Sequence, residues 1–410
     1  MKKESICKAL ENKYVKIGIS IVTIVFAILF LLIFAGDAKK VYGDRFNTKL
    51  KYPHEAKIVE IIDNFQEVDM YGEECDCYIY RCKVIKGFED TELEEITVVQ
   101  KIEKIYSFRY AKAKVGNRIY VSEATSWSQT EKYPDIKWEF SGASTGYNRI
   151  VPLIILLVVF VISIILFSRL QGVNTLIALG LSLAAVFIIL IPKILLGKNI
   201  YVYTLVSFLF VVGVTLILVI GLNKKALCAL IGCTGGVLVI TVVTLIIKGA
   251  FSLTGYYDET TVELYIYTVD MFDIKLDLTA LIFSMITLGS MGALLDVGIS
   301  LSSSLYEVSQ KAENAKEIVK SGFAIGKDML GTMTNTLILA YLGTSLPLIT
   351  FDIIYYTMEG MMRLEVLYIE LIQSIVGTLG MLSAIPITSL VSGFIYKKKK
   401  GIEELGVKES

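Results

Sequence analysis

The chain has 410 residues, 54% of them hydrophobic and only 20% charged, and its acidic and basic side chains balance to a net charge of zero. A neutral chain offers no global basic field for nucleic acid, and this composition, with repeated apolar runs, places it among membrane proteins rather than soluble enzymes. The single histidine, His54, lies outside every apolar run, which excludes a histidine metal site or a Ser-His-Asp relay inside a membrane.

In chain order, the first apolar run is Tyr14–Gly36, preceded by Lys2, Lys3, Lys8, Lys13 and Lys16. At about 20 apolar residues it is long enough for a hydrocarbon core of ~30 Å. No small-residue cleavage site follows it directly, so it reads as an uncleaved anchor with a cytoplasmic N-terminus. Residues 37–149 then change to short alternating stretches such as AKIVEII, CYIYRCKVI, ITVVQKI and RIYVSEA. This period of two predicts five or six half-buried strands in a small extracytoplasmic all-β domain, a barrel or sandwich of OB-like type. Its aromatic end holds Trp127 and Trp138, which suit a headgroup layer or an ordinary core. Cys75, Cys77 and Cys82 have C-x-C and C-x4-C spacing, not the paired C-x2-C of a zinc ribbon. They read as small apolar strand residues or as one disulfide.

Seven further spans are expected at 150–168, 172–191, 200–222, 226–247, 277–305, 329–350 and 365–395, followed by a basic tail at 397–410. The polar breaks between them include Arg169, Asn223–Lys225, the acidic stretch 254–277, KAENAKEIVK at 311–320 and FDIIYYTMEGMMR at 351–363. The fold class is thus an α-helical polytopic membrane protein of about eight spans, with both termini cytoplasmic and the β-domain inserted after the first span. Lys224–Lys225, Lys311–Lys320 and KKKK at 397–400 obey the positive-inside rule, whereas Lys193 and Lys198 run against it. ETTVELYIYTVDMF at 259–272 is too polar to span and reads as an interfacial helix, and DIIYYTMEGMM reads the same way. GCTGG at 232–236 is a small-xxx-small packing pair without the G-K-[ST] of a phosphate loop. Pro386 is expected to kink the last span.

The sixth span carries a polar stripe. At about 100° per residue, Gly289, Gly292, Asp296, Ser300, Ser303 and Glu307 occupy one narrow face. In the seventh span Asp328, Thr332 and Asn335 share a face. If Glu307 and Asp328 lie at one depth, Asn335 comes level with Ser300. A carboxylate exposed to lipid costs about 2.5–3.5 kcal/mol, so Asp296 is expected to face protein or water. As a carrier it would take a cation or proton, with Ser300, Ser303, Thr332 and Asn335 as neutral ligands and Glu307 and Asp328 along the path. As helix-helix glue it would only hold two spans together. Glu370 and Gln373, near the start of the eighth span, are entrance residues or, for Glu370, an interfacial side chain reaching water.

MGALLDVGISLSSSLYEVSQ at 291–310 and IGKDMLGTMTNTLILAYLGTSLPL at 325–348 resemble the bacterial YibE/F-like membrane protein family. The resemblance implies an N-terminal anchor, an external β-rich segment, about seven further spans, and description as a multi-pass membrane protein or permease. It brings no reaction and no functional residues. The reading that follows is a cell-membrane permease, not an enzyme, needing no cofactor or metal and binding no nucleic acid. It would move a small solute or ion by alternating access between the sixth and seventh spans, within a lipid bilayer and compatible with a homo-oligomer or an accessory membrane subunit. The alternative is a non-transporting scaffold or sensor whose β-domain binds a ligand or envelope component.

Overall fold

The computed structural model describes residues 13–45, 54–68, 72–86, 94–104, 112–125, 130–140, 147–361 and 364–396. Lys2, Lys3, Cys7, Lys8, Trp127 and the basic tail lie outside the described residues. The chain divides into two compact units, with boundaries after Asn47 and after Ile164.

In the β-rich unit, strands β1 (His54–Val68), β2 (Glu74–Lys86), β3 (Glu95–Glu103), β4 (Arg118–Glu123) and β5 (Trp138–Glu139) form a closed barrel in the order β1-β2-β3-β5-β4. Among the described residues five strands form, against the expected five or six. Neighbours pair antiparallel except β3 with β5, and β4 closes the barrel by pairing Arg118–Val121 with His54–Lys57. Irregularities in β1 between Ile58 and Glu60 and between Ile61 and Asp63 let the long β1–β2 ribbon bend. Alternation puts Ala56, Ile58, Tyr80, Cys82, Val98, Ile119, Val121 and Phe140 inside. One polar side chain joins them: Gln100 is fully buried, and its Oε1 accepts from Tyr80 Oη at 2.8 Å and from the Ala113 amide at 3.3 Å. Trp138, a suggested headgroup residue, packs edge-on against His54 at 4.7 Å.

Cys75, Cys77 and Cys82 are buried and none is in a disulfide, so the one-disulfide reading does not hold. Burial pushes the Cys77 and Cys82 thiols up to about 12. They remain protonated at neutral pH, and the thiolate is the reactive form. In the folded protein, Cys77 and Cys82 are therefore expected to resist iodoacetamide for hours at pH 8 and to react within minutes in denaturant, as read by mass spectrometry. Rapid native labelling would contradict their burial.

The helical unit begins with α1 (Lys13–Lys39), extended by π-helical turns through Arg45. Ile150–Leu195 is one helical stretch of 46 residues. It comprises α2 (Ile150–Ala185), π-helical turns at Val186–Leu190 and α3 (Ile191–Leu195). Its backbone breaks once, at Arg169 (φ 50, ψ −124), where the sequence places the boundary between two spans. The remaining helices are α4 (Ile200–Val219), α5 (Lys224–Ala250), α6 (Glu259–Phe272), α7 (Leu278–Lys311), α8 (Ala315–Tyr355), α9 (Met358–Met361) and α10 (Glu365–Tyr396). Among the described residues seven helices are long and apolar enough to cross a bilayer, the broken one having length for two crossings.

Capping sets several boundaries. Asn199, Asn223, Asp258, Asp277 and Asn314 each accept a backbone N–H of the first turn of the helix they precede. The Asn314 cap revises the expected polar break at 311–320. Helix α7 runs on to Lys311 and α8 starts at Ala315, because the good helix formers Ala315, Lys316, Glu317 and Lys320 need only that cap to begin a turn. Helix α10 continues through Pro386. The acidic segment 259–272 is helical, with Asp258 and Thr261 forming a reciprocal capping box.

Helix α10 lies against α5, α7 and α8, and glycines set the closeness of approach. A Cβ on Gly236 would stand 2.8 Å from the Gly380 carbonyl oxygen and 2.5 Å from Leu294 Cδ2. On Gly298 it would stand 2.7 Å from Cys233 Sγ, and on Gly393 3.1 Å from the Ala315 carbonyl. Small residues at crossings let helix backbones meet, the arrangement favoured where no hydrophobic force drives association. Lys193, which runs against the positive-inside rule, pairs with Asp37 at 2.6 Å and lies over the Tyr203 ring at 4.9 Å.

Candidate functional site

Every residue of the predicted stripe lies on α7 or α8. On α7, Leu294, Val297, Gly298, Leu301 and Leu305 are buried, and the opposite side carries Asp296, Ser300 and Glu307, all exposed, with Ser303 half-buried. On α8, Gly322, Gly326 and Leu337 are buried, and Asp328, Thr332 and Asn335 are exposed. The packing faces therefore run through the glycines and leucines, and the polar faces are turned away from them. In the single chain the stripe is an open surface.

Three contacts give the register between α7 and α8. A Cβ on Gly322 would stand 3.1 Å from Leu305 Cδ1, a Cβ on Gly289 would collide with the Tyr341 hydroxyl, and Gly377 of α10 lies between Leu337 and Ser290. These place Asp296 level with Thr332, and Ser300 level with Asp328. The expected pairing of Glu307 with Asp328 is thus displaced by about two turns, because the hairpin between α7 and α8 is tighter than the charged run suggested. The displacement brings the two carboxylates within about one turn of each other in height, with Asn335 roughly another turn toward the Asp277 end.

Neither Asp296 nor Asp328 has a hydrogen-bond or ion-pair partner among the described residues. Thr332 returns its hydroxyl to the Met329 carbonyl at 3.0 Å. Glu307 receives Lys225 Nζ at 3.5 Å, and that ammonium also lies 4.4 Å over the Tyr306 ring. Glu307 thus reads as a partnered residue at one end of the stripe, while the two aspartates remain the unneutralised groups. Gly292, Gly331 and Gly343 lie on or beside the same exposed faces, and nothing stands within 4 Å of a Cβ built on any of them.

The two entrance candidates differ from each other. Glu370 is half-buried, and its charge is felt at Tyr257, whose phenol burial has already pushed up. Gln373 is 3% exposed, and its Nε2 has no partner. The wheel of α10 alone does not disclose this burial, since Gln373 reads there as an interfacial polar residue. The missed signal is its spacing of four from Gly377, a close-packing position.

Among the described residues no group of three or more His, Cys, Asp or Glu is placed to hold a metal ion. A family model described as YibE/F-like protein matches residues 156–398, a segment that includes α4 to α10 whole. No curated protein and no solved structure matches the chain.

Proposed function

We propose, from the premise that the chain belongs to the YibE/F-like protein family, that it is an integral membrane permease for a small solute or ion. The path runs along the polar face of α7 and α8. One observation carries this reading: Asp296 and Asp328 lie in long apolar helices, exposed and without partners. Facing lipid, each would cost about 2.5–3.5 kcal/mol. Water and a covering membrane-embedded surface, from a second copy or an accessory subunit, remove that cost and leave the carboxylates free to take a cation or proton. Ser300, Ser303, Thr332 and Asn335 supply neutral ligands beside them. Without a nucleotide-binding motif in the chain, an ion gradient or a separate subunit drives the cycle.

The positive-inside pattern supports cytoplasmic termini and an extracytoplasmic barrel. The barrel's strand order, with parallel β3 and β5 and closure of β4 on β1, supports the OB-like assignment. In the sensor alternative, deleting residues 45–140 removes function and the aspartates are silent.

The test is reconstitution of the full chain in vesicles, with proton and potassium flux read by entrapped dyes. Asp296→Asn is expected to lower flux at least tenfold while expression and chromatographic profile stay intact. Undiminished flux in that variant overturns the assignment of the path.

A further inference from the structure

The interior of the helical unit holds a second polar region, distinct from the exposed stripe. Cys233 of α5 packs against Gly298 of α7 and donates its S–H to the Leu294 carbonyl at 3.2 Å. Eleven residues along each antiparallel helix, on the same faces and about 16 Å toward the Asp277 end, Thr244 comes opposite Thr287. Gly377 of α10 touches the position of Ser290, so Gln373, one turn along α10, comes level with Thr287. Thr204 of α4 hydrogen-bonds Ser284, so Ser207, three residues on in a parallel helix, reaches the same level. Four helices thus bring Ser207, Thr244, Thr287 and Gln373 into one cross-section.

These side chains are 0%, 4%, 0% and 3% exposed. Ser207 Oγ, Thr244 Oγ1, Thr287 Oγ1 and Gln373 Nε2 are all without a hydrogen-bond partner among the described residues. Several hydroxyls of these helices are satisfied: Thr204, Thr241, Ser284 and Ser290 each bond the carbonyl one turn back. Ser207, Thr244 and Thr287 depart from that habit at one level, and Thr388 and Ser392 do so separately, toward the other end of α10. Buried polar groups are almost always satisfied, by protein, water or ligand. A cluster of four at one level therefore points to an occupant.

The charge environment selects its sign. Residues 200–219, 226–247, 278–310 and 365–396, which build the four walls, contain no lysine or arginine, and Lys248, one turn beyond Thr244 on α5, is paired with Asp277 at 3.7 Å. The nearest acid along α10 is Glu370, one turn from Gln373 toward the Asp277 end. We propose that Ser207, Thr244, Thr287 and Gln373 form a binding site for a monovalent cation stripped of most of its water, approached past Glu370. Hydroxyl oxygens replace the lost hydration, as oxygen ligands do for hard cations, and a half-turn of the Gln373 carboxamide brings its oxygen to the ion in place of the unpartnered Nε2 donor. This site rests on the reading that the helices span a bilayer, and it does not depend on Asp296.

The test is equilibrium binding of Li⁺, Na⁺, K⁺ and Rb⁺ chlorides to the purified full chain at constant ionic strength, read by calorimetry and by the thermal unfolding midpoint. One of these ions is expected to bind saturably and raise the midpoint. Thr287→Val and Gln373→Leu are each expected to weaken that binding at least tenfold, and Thr350→Val, on the exposed side of α8, to leave it unchanged. Should Gln373→Leu fail to fold, Thr287→Val decides. Saturable binding by none of the four ions, leaving an ordered-water cluster only, overturns the proposal. So does unchanged binding in Thr287→Val. Loss of flux in Asp296→Asn with cation binding retained separates this site from the path on α7 and α8.

Discussion

Replacing Gly236 with valine is expected to abolish the folded helical unit, read as loss of the monodisperse chromatographic peak and a fall in thermal midpoint of ten degrees or more. A side chain at this position meets backbone: its Cβ would lie 2.8 Å from the Gly380 carbonyl oxygen, with Leu294 Cδ2 at 2.5 Å and the Ala384 methyl at 3.4 Å. Overpacking a close-fitted core costs about 1–3 kcal/mol when side chains can adjust, and a carbonyl in a helix cannot swing away. The crossing is also reciprocal. A Cβ on Gly380 would stand 3.2 Å from the Gly236 carbonyl, so separating the helices loses both approaches at once. Gly292→Val is the control, because nothing stands within 4 Å of the position its Cβ would take. A Gly236→Val protein with parental stability would show that α5 and α10 do not cross at this point.

The second large effect is expected in the barrel. Gln100→Leu removes the acceptor shared by the Tyr80 hydroxyl and the Ala113 amide, both within the buried core. Tyr80 keeps only a long 3.5 Å approach to the Ala113 carbonyl. Leaving a buried donor unsatisfied costs about 1–3 kcal/mol, and two are affected here. A domain of ordinary stability holds ~5–15 kcal/mol in total, so the loss is a large fraction of it. In the full chain, amide hydrogen exchange across Glu95–Glu103 is expected to accelerate by at least tenfold, while exchange in α10 stays at the parental rate. Unchanged protection in β3 would refute the role of Gln100 as the barrel's internal acceptor.

Much of the architecture was legible because it rests on local periodicity. Apolar runs located the long helices, and Arg169 marked the break in the 46-residue stretch because a charged residue between two apolar runs is costly anywhere but at a boundary. The strand periodicity of residues 37–149 announced a β-domain, but strand order depends on pairings between distant segments, such as β1 with β4, which no local pattern encodes. The helical wheel found the polar face of α7 correctly as a face. It did not reveal that the opposite face, carrying Gly298 and Leu305, is the one that packs. The register of α7 against α8 is not written in the charges of 311–320, because one capping asparagine suffices to start a new helix among them. Gln373 was legible as polar but not as buried, since only its spacing of four from Gly377 on α10 marks that face as close-packed.

Transport along α7 and α8 requires that Asp296 meet water within the bilayer. The direct measurement places a single reactive cysteine there, Asp296→Cys, in a chain whose other cysteines are replaced, and follows labelling by a small membrane-impermeant methanethiosulfonate in intact vesicles. The same site carrying a nitroxide reports lipid or water through its accessibility to oxygen and to a nickel chelate. Rapid labelling with preferential access to the chelate is the predicted result. A site closed to the reagent and preferentially reached by oxygen would place this face against lipid and contradict the account.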